Sequence, residues 1–355
     1  MLEAFVLLTL GRSHRTTTDS ELIRWGESFL RVEGRVGSLP VGSRDGVSAD
    51  AGSAGGPQPG IIDLDLTLQA GGRKKIQVNG IPRRATALSE HLRTVLFAPE
   101  EMLLVIGAPT LRRAALDGLA GPHDHTYAAN MTTYSRALAQ RNSILRAIRE
   151  GEADRDQLRL WDEPFVASGA AIVEARLRLL ELLAEPLAAA HREIAPEEGR
   201  LAASYASNAS PLPGERPRQA LTRRLRETAE KEAWNGTTLV GPHRDDLTFS
   251  LDGRDLATFS SRGQQRTAIL ALKLAELDLL TALDGRPPLL LLDDVFSELD
   301  PARRGHLVRR IAELPQALIT TTDPDDIDTD LRRRASHWRV VPDEAGGARI
   351  VAGEP

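Results

Sequence analysis

The 355-residue sequence contains no cysteine, which excludes disulfide bonds and thiolate metal sites. It has no run of about 18 or more apolar residues, the length that a membrane-spanning helix needs. Its first residues, MLEAFVLLTLGR, lack the basic leader and the small-residue cleavage site of a secretory signal peptide. These absences lead us to expect a cytoplasmic protein that does not enter the membrane.

The charge balance gives no general attraction to nucleic acid. The sequence carries 45 basic and 50 acidic residues, a formal net charge of −5, so that any DNA binding needs a local basic surface. A hydrophobic content of 41% with 27% charged residues is typical of a globular protein. The length is sufficient for two domains, each with its own core.

Hydrophobic patterning divides the chain into three parts, for which we predict boundaries at 1–98, 99–235 and 236–355. The first part mixes a helix at LEAFVLLTL with strands at SFLRVEGRV, IIDLDLTLQA and KIQV, the last before an Asn-Gly turn. The second is helical throughout and predicts an inserted lobe, with Asp162 capping a helix that has Pro164 near its start. The third alternates strands and helices, which favours a largely parallel sheet, and ends in a small hairpin of HWRVV and ARIVA.

A buried strand that ends in two acids is the first chemical signal. In LLLLDD (289–294) the leucines predict a central strand covered on both faces, and ligands of such sheets bind at the carboxyl ends of the strands. Two adjacent carboxylates are most stable beside a cation, which favours Mg²⁺ at Asp293 and activation of a water by Asp294. The alternative is an ordinary strand end with solvated acids.

The second signal is the start of an apolar helix, SSRGQQR (260–266). A hydroxyl, a glycine and a guanidinium at one helix N-terminus form an anion site that suits a terminal phosphate. The alternative is a capping box, with Ser261 as the cap and Gln264 three residues later.

Several segments together resemble the RecF family of bacterial DNA replication and repair proteins. The resemblance covers nearly the whole chain and rests on the following segments: GRSHRT (11–16), FAPEEMLLVIGAPTLRRAALD (97–117), YSRALAQRNSIL (134–145), VGPHRDDLTF (240–249), SSRGQQR (260–266) and LLLDDVFSELDPARR (290–304).

The resemblance implies an α/β fold, an ABC-type ATPase head with a mixed or parallel sheet flanked by helices, plus an inserted helical lobe. It implies a weak, DNA-stimulated ATPase that uses ATP and Mg²⁺ and that dimerises around the nucleotide. It also implies binding to single-stranded or gapped duplex DNA and cooperation with RecO and RecR in RecA loading and the SOS response. A non-hydrolysing scaffold that binds DNA or RecR is the alternative. A transporter ATPase is disfavoured, because ITTTD (319–323) lacks a histidine after the strand.

Site residues follow from the resemblance by position. Asp293 would bind magnesium and Asp294 would be the catalytic carboxylate. The signature residues Ser261, Arg262, Gly263 and Gln264 would contact the ATP held by the opposite subunit, and Ser297 and Asp300 would lie at the dimer interface.

The GxxxxGK[ST] loop that cradles nucleotide phosphates does not occur in residues 1–355. The closest approach, GGRKK (71–75), has the wrong spacing and precedes a strand. Since the family carries this loop directly before the segment matching LEAFVLLTLGRSHRT, we expect a start codon assigned too far downstream. The alternative is a natural truncation, and the chain as given is expected to bind ATP weakly.

Three further features have open interpretations. The GPHRDD turn (241–246) is either a metal or nuclease site or, as we favour, a turn of ion-paired residues. Arg12 and Arg15 either contact a phosphate or are basic residues at the C-terminal end of a helix, where the helix dipole favours positive charge. The cluster LRRRASHWR (331–339) is a candidate contact to the DNA backbone or a solvated charge run. The Gly- and Ser-rich segment 37–60 predicts a long flexible loop.

Overall fold

A computed structural model describes residues 1–16, 18–37, 60–121, 124–343 and 347–353. The predicted loop at 37–60 lies almost wholly outside these residues. The helices are α1 (Leu2–Leu10), α2 (Leu103–Ile106), α3 (Pro109–Ala120), α4 (His125–Glu150), α5 (Arg159–Ile194), α6 (Pro217–Asn235), α7 (Leu256–Phe259), α8 (Arg262–Asp284), α9 (Pro301–Ala312) and α10 (Thr329–Arg334). The strands are β1 (Phe29–Gly37), β2 (Ile61–Gln69), β3 (Lys75–Val78), β4 (Ile81–Pro82), β5 (Thr94–Phe97), β6 (Leu201–Ala206), β7 (Asp246–Leu251), β8 (Arg254–Asp255), β9 (Leu289–Asp293), β10 (Ala317–Thr320), β11 (Trp338–Pro342) and β12 (Ala348–Ala352).

The chain forms two compact units. The sheet unit comprises residues 1–97, 286–298 and 308–355, and the helical unit comprises residues 98–285 and 299–307. The division of the chain into three parts, with boundaries after residues 98 and 235, stays a prediction.

The sheet unit contains three strand systems, two of which pack against helix α1. An antiparallel sheet runs in the order β1-β2-β3-β4, a parallel sheet in the order β10-β9-β5, and β11 pairs with β12 as an antiparallel ribbon. Helix α1 packs Leu7 and Leu8 into the core of the antiparallel sheet, while Leu2 and Val6 join the leucines of β9. Because both sheets cover α1, the helix is apolar on more than one side, and its sequence lacks a polar face.

A close approach between α1 and β1 depends on Gly34. A Cβ built on this residue would lie 2.6 Å from Cδ1 of Leu8, which is closer than carbon atoms can pack. The glycine in SFLRVEGRV is therefore a packing requirement of the helix that crosses the strand.

The helical unit is built around the 36-residue helix α5, which packs against α4, α6 and α8. Its apolar positions are buried on several faces, as are thirteen residues of α8, so both helices lie in the core. The unit also contains the antiparallel sheet β6-β7-β8. None of the helices in the described residues is long and apolar enough to cross a membrane.

Most predicted elements are confirmed, including the α/β class, the parallel strand at LLLLDD and the hairpin at the end of the chain. The Asn-Gly turn is confirmed as well, since Asn79 and Gly80 both have positive φ and join β3 to β4.

Three expectations were wrong. Strand β6 lies inside the stretch that was predicted as helical throughout. It pairs with β7, so β7 belongs to an antiparallel sheet and not to the parallel one. Helix α5 begins at Arg159 after a 3₁₀ turn, which leaves Pro164 inside the helix and Asp162 without a capping role. Asp162 instead pairs with Arg141 of α4, a tertiary contact that a capping pattern does not reveal.

Candidate functional site

Asp293 ends the central strand of the parallel sheet and is held on both of its oxygens. Strand β9 lies between β5 and β10, and Leu290, Leu291 and Leu292 are almost fully buried. Thr320, which is paired with Asp293 in the register of β10, donates a hydrogen bond from Oγ1 to Oδ1 at 2.6 Å. This geometry fixes the carboxylate at the carboxyl edge of the sheet.

Asp294 turns away from the strand and keeps one unpaired oxygen. Its φ of 50° is in the left-handed region, which is uncommon for a residue other than glycine. Its backbone N–H donates to the carbonyl of Thr320 at 3.1 Å. Its Oδ1 is shielded from solvent and has no hydrogen-bond partner among the described residues. A buried carboxylate oxygen without a donor is unfavourable, so a bound water or cation at this position would be stabilised.

The loop that follows α1 brings Arg15 to the same edge. Nη2 of Arg15 donates to Oδ2 of Asp293 at 3.0 Å, and the Arg15 side chain is 55% exposed. Lys74 supports the loop by donating to the carbonyl of Gly11 at 2.6 Å. Arg12 is exposed. The phosphate contacts predicted for Arg12 and Arg15 stay predictions. The partner observed for Arg15 is the carboxylate of Asp293.

Ser297 lies just beyond the acidic pair in the sheet unit. It is exposed, and its Oγ donates to the carbonyl of Asp294 at 2.9 Å. This contact closes the turn after β9, and the dimer-interface role of Ser297 stays a prediction.

In the helical unit, the predicted signature residues begin α8 with a complete capping box. Oγ of Ser261 accepts from the backbone N–H of Gln264 at 3.2 Å, and Oε1 of Gln264 accepts from the N–H of Ser261 at 2.9 Å. The capping alternative is thus confirmed, while contact with ATP stays a prediction for all four residues. A Cβ built on Gly263 would lie in ordinary van der Waals contact with Oγ of Ser261 at 3.8 Å and Nη1 of Arg303 at 4.0 Å.

Helix α8 is held in place by a buried lysine. Lys273 donates to Glu276 at 3.2 Å and pairs with Glu101 at 2.5 Å. Burial alone lowers the pKa of Lys273, but the two carboxylates outweigh it and raise the pKa above its ordinary value. The lysine therefore stays charged and fixes α8 to the segment before α2.

Asp300, the second predicted interface residue, has a local role as the cap of α9. Its Oδ1 accepts from the backbone N–H of Arg303 at 3.0 Å, and its Oδ2 accepts from the Arg303 guanidinium at 2.6 Å. The backbone hydrogen bond from Arg303 holds the pKa of Asp300 below its usual value. An interface role would be in addition to this cap.

The GPHRDD turn is tied to its surroundings by hydrogen bonds and ion pairs. Asp246 accepts two hydrogen bonds from Arg112, each at 2.8 Å. Asp245 accepts from Tyr205 at 2.7 Å, and its carbonyl accepts from Arg113 at 2.8 Å. No group of three or more metal-binding side chains occurs within the described ranges, which favours the ion-paired turn over a metal site.

His243 of the same turn is uncharged at neutral pH. Its Nδ1 lies 2.6 Å from Oη of Tyr134, and its Nε2 lies 3.4 Å from the carbonyl of Thr238. Burial lowers the pKa of His243 to about 4. A neutral imidazole with both nitrogens facing hydrogen-bond partners is a structural residue.

The basic cluster at 331–339 is largely exposed in the sheet unit. Arg332 pairs with Asp325 at 2.7 Å, and Arg333 is 73% exposed and lies 3.5 Å from Asp330. These surface pairs contribute little to stability. A DNA contact at this cluster stays a prediction.

Sequence reasoning missed Thr320, Lys273 and the partners of the GPHRDD turn. Thr320 could have been found from the parallel sheet, because adjacent strands bring their last residues to one edge. Lys273 is a single lysine in an apolar helix, a pattern that predicts a buried pair without naming the partner.

Curated proteins similar to this chain include RecF proteins of several bacteria. No protein-family model matches the chain. The DNA replication and repair protein RecF of Geobacillus thermodenitrificans is 37% identical over 347 residues, which cover 96% of this chain and 87% of the relative. The RecF of Bacillus subtilis strain 168 is 37% identical over 350 residues, covering 96% and 88%.

Solved structures agree with the sequence relatives. The recombination mediator protein RecF-ATPrS of the RecFOR pathway superposes with a TM-score of 0.82 at 30% identity, covering 99% of this chain and 88% of that chain. The RecF-ATP structure of the same pathway gives a TM-score of 0.79 at 32% identity, covering 91% and 83%. Shared sequence and fold over this length place the chain in the RecF family of DNA replication and repair proteins.

Proposed function

We propose that this protein is a DNA-binding ATPase that forms an ATP-dependent dimeric clamp on single-stranded or gapped duplex DNA. In this role it supports RecA loading together with RecO and RecR, and thereby the SOS response. The names of its relatives and of the matching structures support the DNA repair role and ATP as the nucleotide. The observation that carries the ATPase proposal is the acidic pair at the end of β9.

Asp293 and Asp294 suit a magnesium–nucleotide site. Asp293 is oriented by Thr320, while Asp294 holds an oxygen that lacks a donor. We assign Asp293 to the metal and Asp294 to the attacking water. When bound, Mg²⁺ would neutralise charge on the phosphates. The hydrogen bond from Thr320 fixes the orientation of the Asp293 carboxylate. The left-handed backbone of Asp294 breaks the alternating side-chain direction of the strand at that residue.

The signature residues would act from the other subunit of the dimer. The N-terminus of α8 carries Gly263, which has no side chain, and the exposed guanidinium of Arg262, and together they suit a terminal phosphate. We assign Ser297 and Asp300 to the interface, each in addition to its local hydrogen bonds.

The test is ATP hydrolysis by the protein, with Asp294→Asn beside Asp330→Asn. Asp330 is an exposed carboxylate of α10 and serves as the matched control. We expect Asp294→Asn to lower the turnover rate by about 10²- to 10⁴-fold, as for loss of a general base, and Asp330→Asn to have wild-type activity. Equal activity of both variants would exclude Asp294 from catalysis, and no hydrolysis by wild type would favour the non-hydrolysing scaffold.

A further inference from the structure

A groove in the helical unit has no assigned function. It has a volume of about 230 Å³ and lies between the facing sides of α3 and α4. Thr110, Arg113, Ala114 and Asp117 line it from α3, at the spacing of one helix face. Its remaining lining residues are Met131, Tyr134, Ser135, Leu138, Arg176, Pro242 and His243.

Three of the segments that carry the family resemblance meet at this groove. Arg113 and Asp117 come from the segment 97–117, Tyr134 from 134–145 and His243 from 240–249. The residues that these segments place at the groove are not among those of the proposed nucleotide site at β9. Their meeting around an open groove suggests a second function and not only a packing arrangement.

The groove has positive charge and free donor capacity. Two guanidinium groups and one carboxylate line it, which leaves one net positive charge beside the neutral His243. Asp117 is already engaged, because Arg176 donates to it at 2.7 Å and Tyr127 at 2.5 Å. Arg113 uses one nitrogen, Nη1, for the carbonyl of Asp245 at 2.8 Å, and its other nitrogens have no partner among the described residues.

The floor of the groove is rigid. Arg176 is 2% exposed and donates to Asp117, to Oη of Tyr205 at 3.1 Å and to the carbonyl of Pro242 at 3.0 Å. A preorganised cation at the base of a cleft lowers the entropic cost of binding an anion. The side chains of Met131 and Leu138 add an apolar wall.

We propose that this groove binds one nucleotide of single-stranded DNA, with the phosphate at Arg113 and the base against Met131 and Leu138. The groove is large for a lone acidic side chain, and it combines a cationic and an apolar wall, as sites that take a backbone phosphate and a base do. The choice of DNA as the source of the nucleotide rests on the proposed function. The inference that the groove binds a phosphate rests only on the residues that line it.

Ala114 provides a test that leaves the hydrogen bonds of the groove intact. It is exposed at the edge of the groove on α3, so Ala114→Glu and Ala114→Arg add opposite charges without removing a contact. Ala229, an exposed alanine of α6 that does not line the groove, carries the same two changes as the control. Binding of dTMP and of an oligothymidylate of about 16 nucleotides is measured without ATP, by calorimetry and fluorescence anisotropy.

We expect Ala114→Glu to weaken both ligands by about 3- to 10-fold and Ala114→Arg to strengthen them, with the Ala229 variants like wild type. Ala114→Glu should also lower the salt dependence of oligothymidylate binding by about one ion. Oligothymidylate binding that ignores residue 114 would overturn the proposal while leaving the DNA-binding function intact.

Two other outcomes separate the sources of the phosphate. If dTMP follows the charge at residue 114 but the oligothymidylate does not bind, the groove is a free-nucleotide site, and its assignment to DNA is overturned. If wild type binds neither probe, the groove has no role in phosphate recognition and the proposal is overturned.

Discussion

The change Glu232→Gln should destabilise the helical unit strongly. Glu232 of α6 is 1% exposed and accepts a hydrogen bond from Arg141 of α4 at 2.9 Å. Its second oxygen accepts from the backbone N–H of Leu239 at 2.8 Å. Removing the charge of one partner leaves a buried guanidinium whose charge is only partly compensated.

The expected loss is about 3 kcal/mol in the free energy of unfolding, the lower end of the range for breaking a buried ion pair. Two features place the expected loss at the lower end of that range. The glutamine still accepts the hydrogen bond from the N–H of Leu239, and Asp162 remains near Arg141 as a second carboxylate. Burial raises the pKa of Glu232 and lowers that of Arg141, so desolvation of the two charges outweighs the attraction between them. We therefore expect the double variant Arg141→Met with Glu232→Gln to be more stable than Glu232→Gln alone.

Urea unfolding followed by circular dichroism measures these differences. The control is Glu230→Gln, two residues earlier on α6, because Glu230 is exposed and pairs with the exposed Arg155. This control should unfold at the wild-type midpoint. Equal urea midpoints for Glu232→Gln and Glu230→Gln would show that the buried pair of Glu232 with Arg141 does not stabilise the helical unit.

Four further changes test other parts of the structure. Ser261→Ala removes the cap of α8 and should cost about 1 kcal/mol in urea unfolding, while Ser261→Thr should cost less. Thr320→Val should reduce ATP turnover more than Thr320→Ser, because only serine keeps a donor for Asp293; equal rates would exclude this hydrogen bond from catalysis. His243 has a pKa below its unfolded value, so it contributes stability above about pH 6.5 that is lost as the pH falls towards about 4, up to roughly 3 kcal/mol. His243→Gln should remove that part of the acid loss, as pH-dependent unfolding would show. Lys273→Met should lower the thermal midpoint because it leaves two partly buried carboxylates without their cation, and an unchanged midpoint would contradict this role.

Local patterns predicted the elements whose environment is encoded in neighbouring residues. The leucine run of β9, the capping box at Ser261 and the Asn-Gly turn at Asn79 each carry their signal within a few positions. Burial on both faces gives a continuous apolar strand, and a cap gives a fixed spacing of polar side chains.

Elements that depend on distant partners were missed or misplaced. The sequence of β6, LAASYA, consists mainly of small residues, and its strand conformation comes from pairing with β7. The start of α5 was misplaced because Asp162 serves Arg141 and not the helix end. Tertiary contacts of this kind override local propensity, and no spacing rule identifies them.

The candidate site follows the same division. The acids at 293 and 294 were found because they end a strand, whereas Thr320 and Arg15 come from segments 27 and 278 residues away from Asp293. Only the parallel pairing of β9 with β10 and the loop after α1 bring them together.

The most direct test of the proposed clamp is the molar mass of the protein in solution, measured by light scattering with and without ATP and Mg²⁺. The variant Asp294→Asn is included to slow hydrolysis and hold the ATP state. We expect the molar mass of a monomer without ATP and twice that mass with ATP. The doubled mass should persist longest in Asp294→Asn, and in wild type it should fall back to the monomer value as ATP is consumed. A mass that stays monomeric with saturating ATP in both proteins would contradict the ATP-dependent dimer.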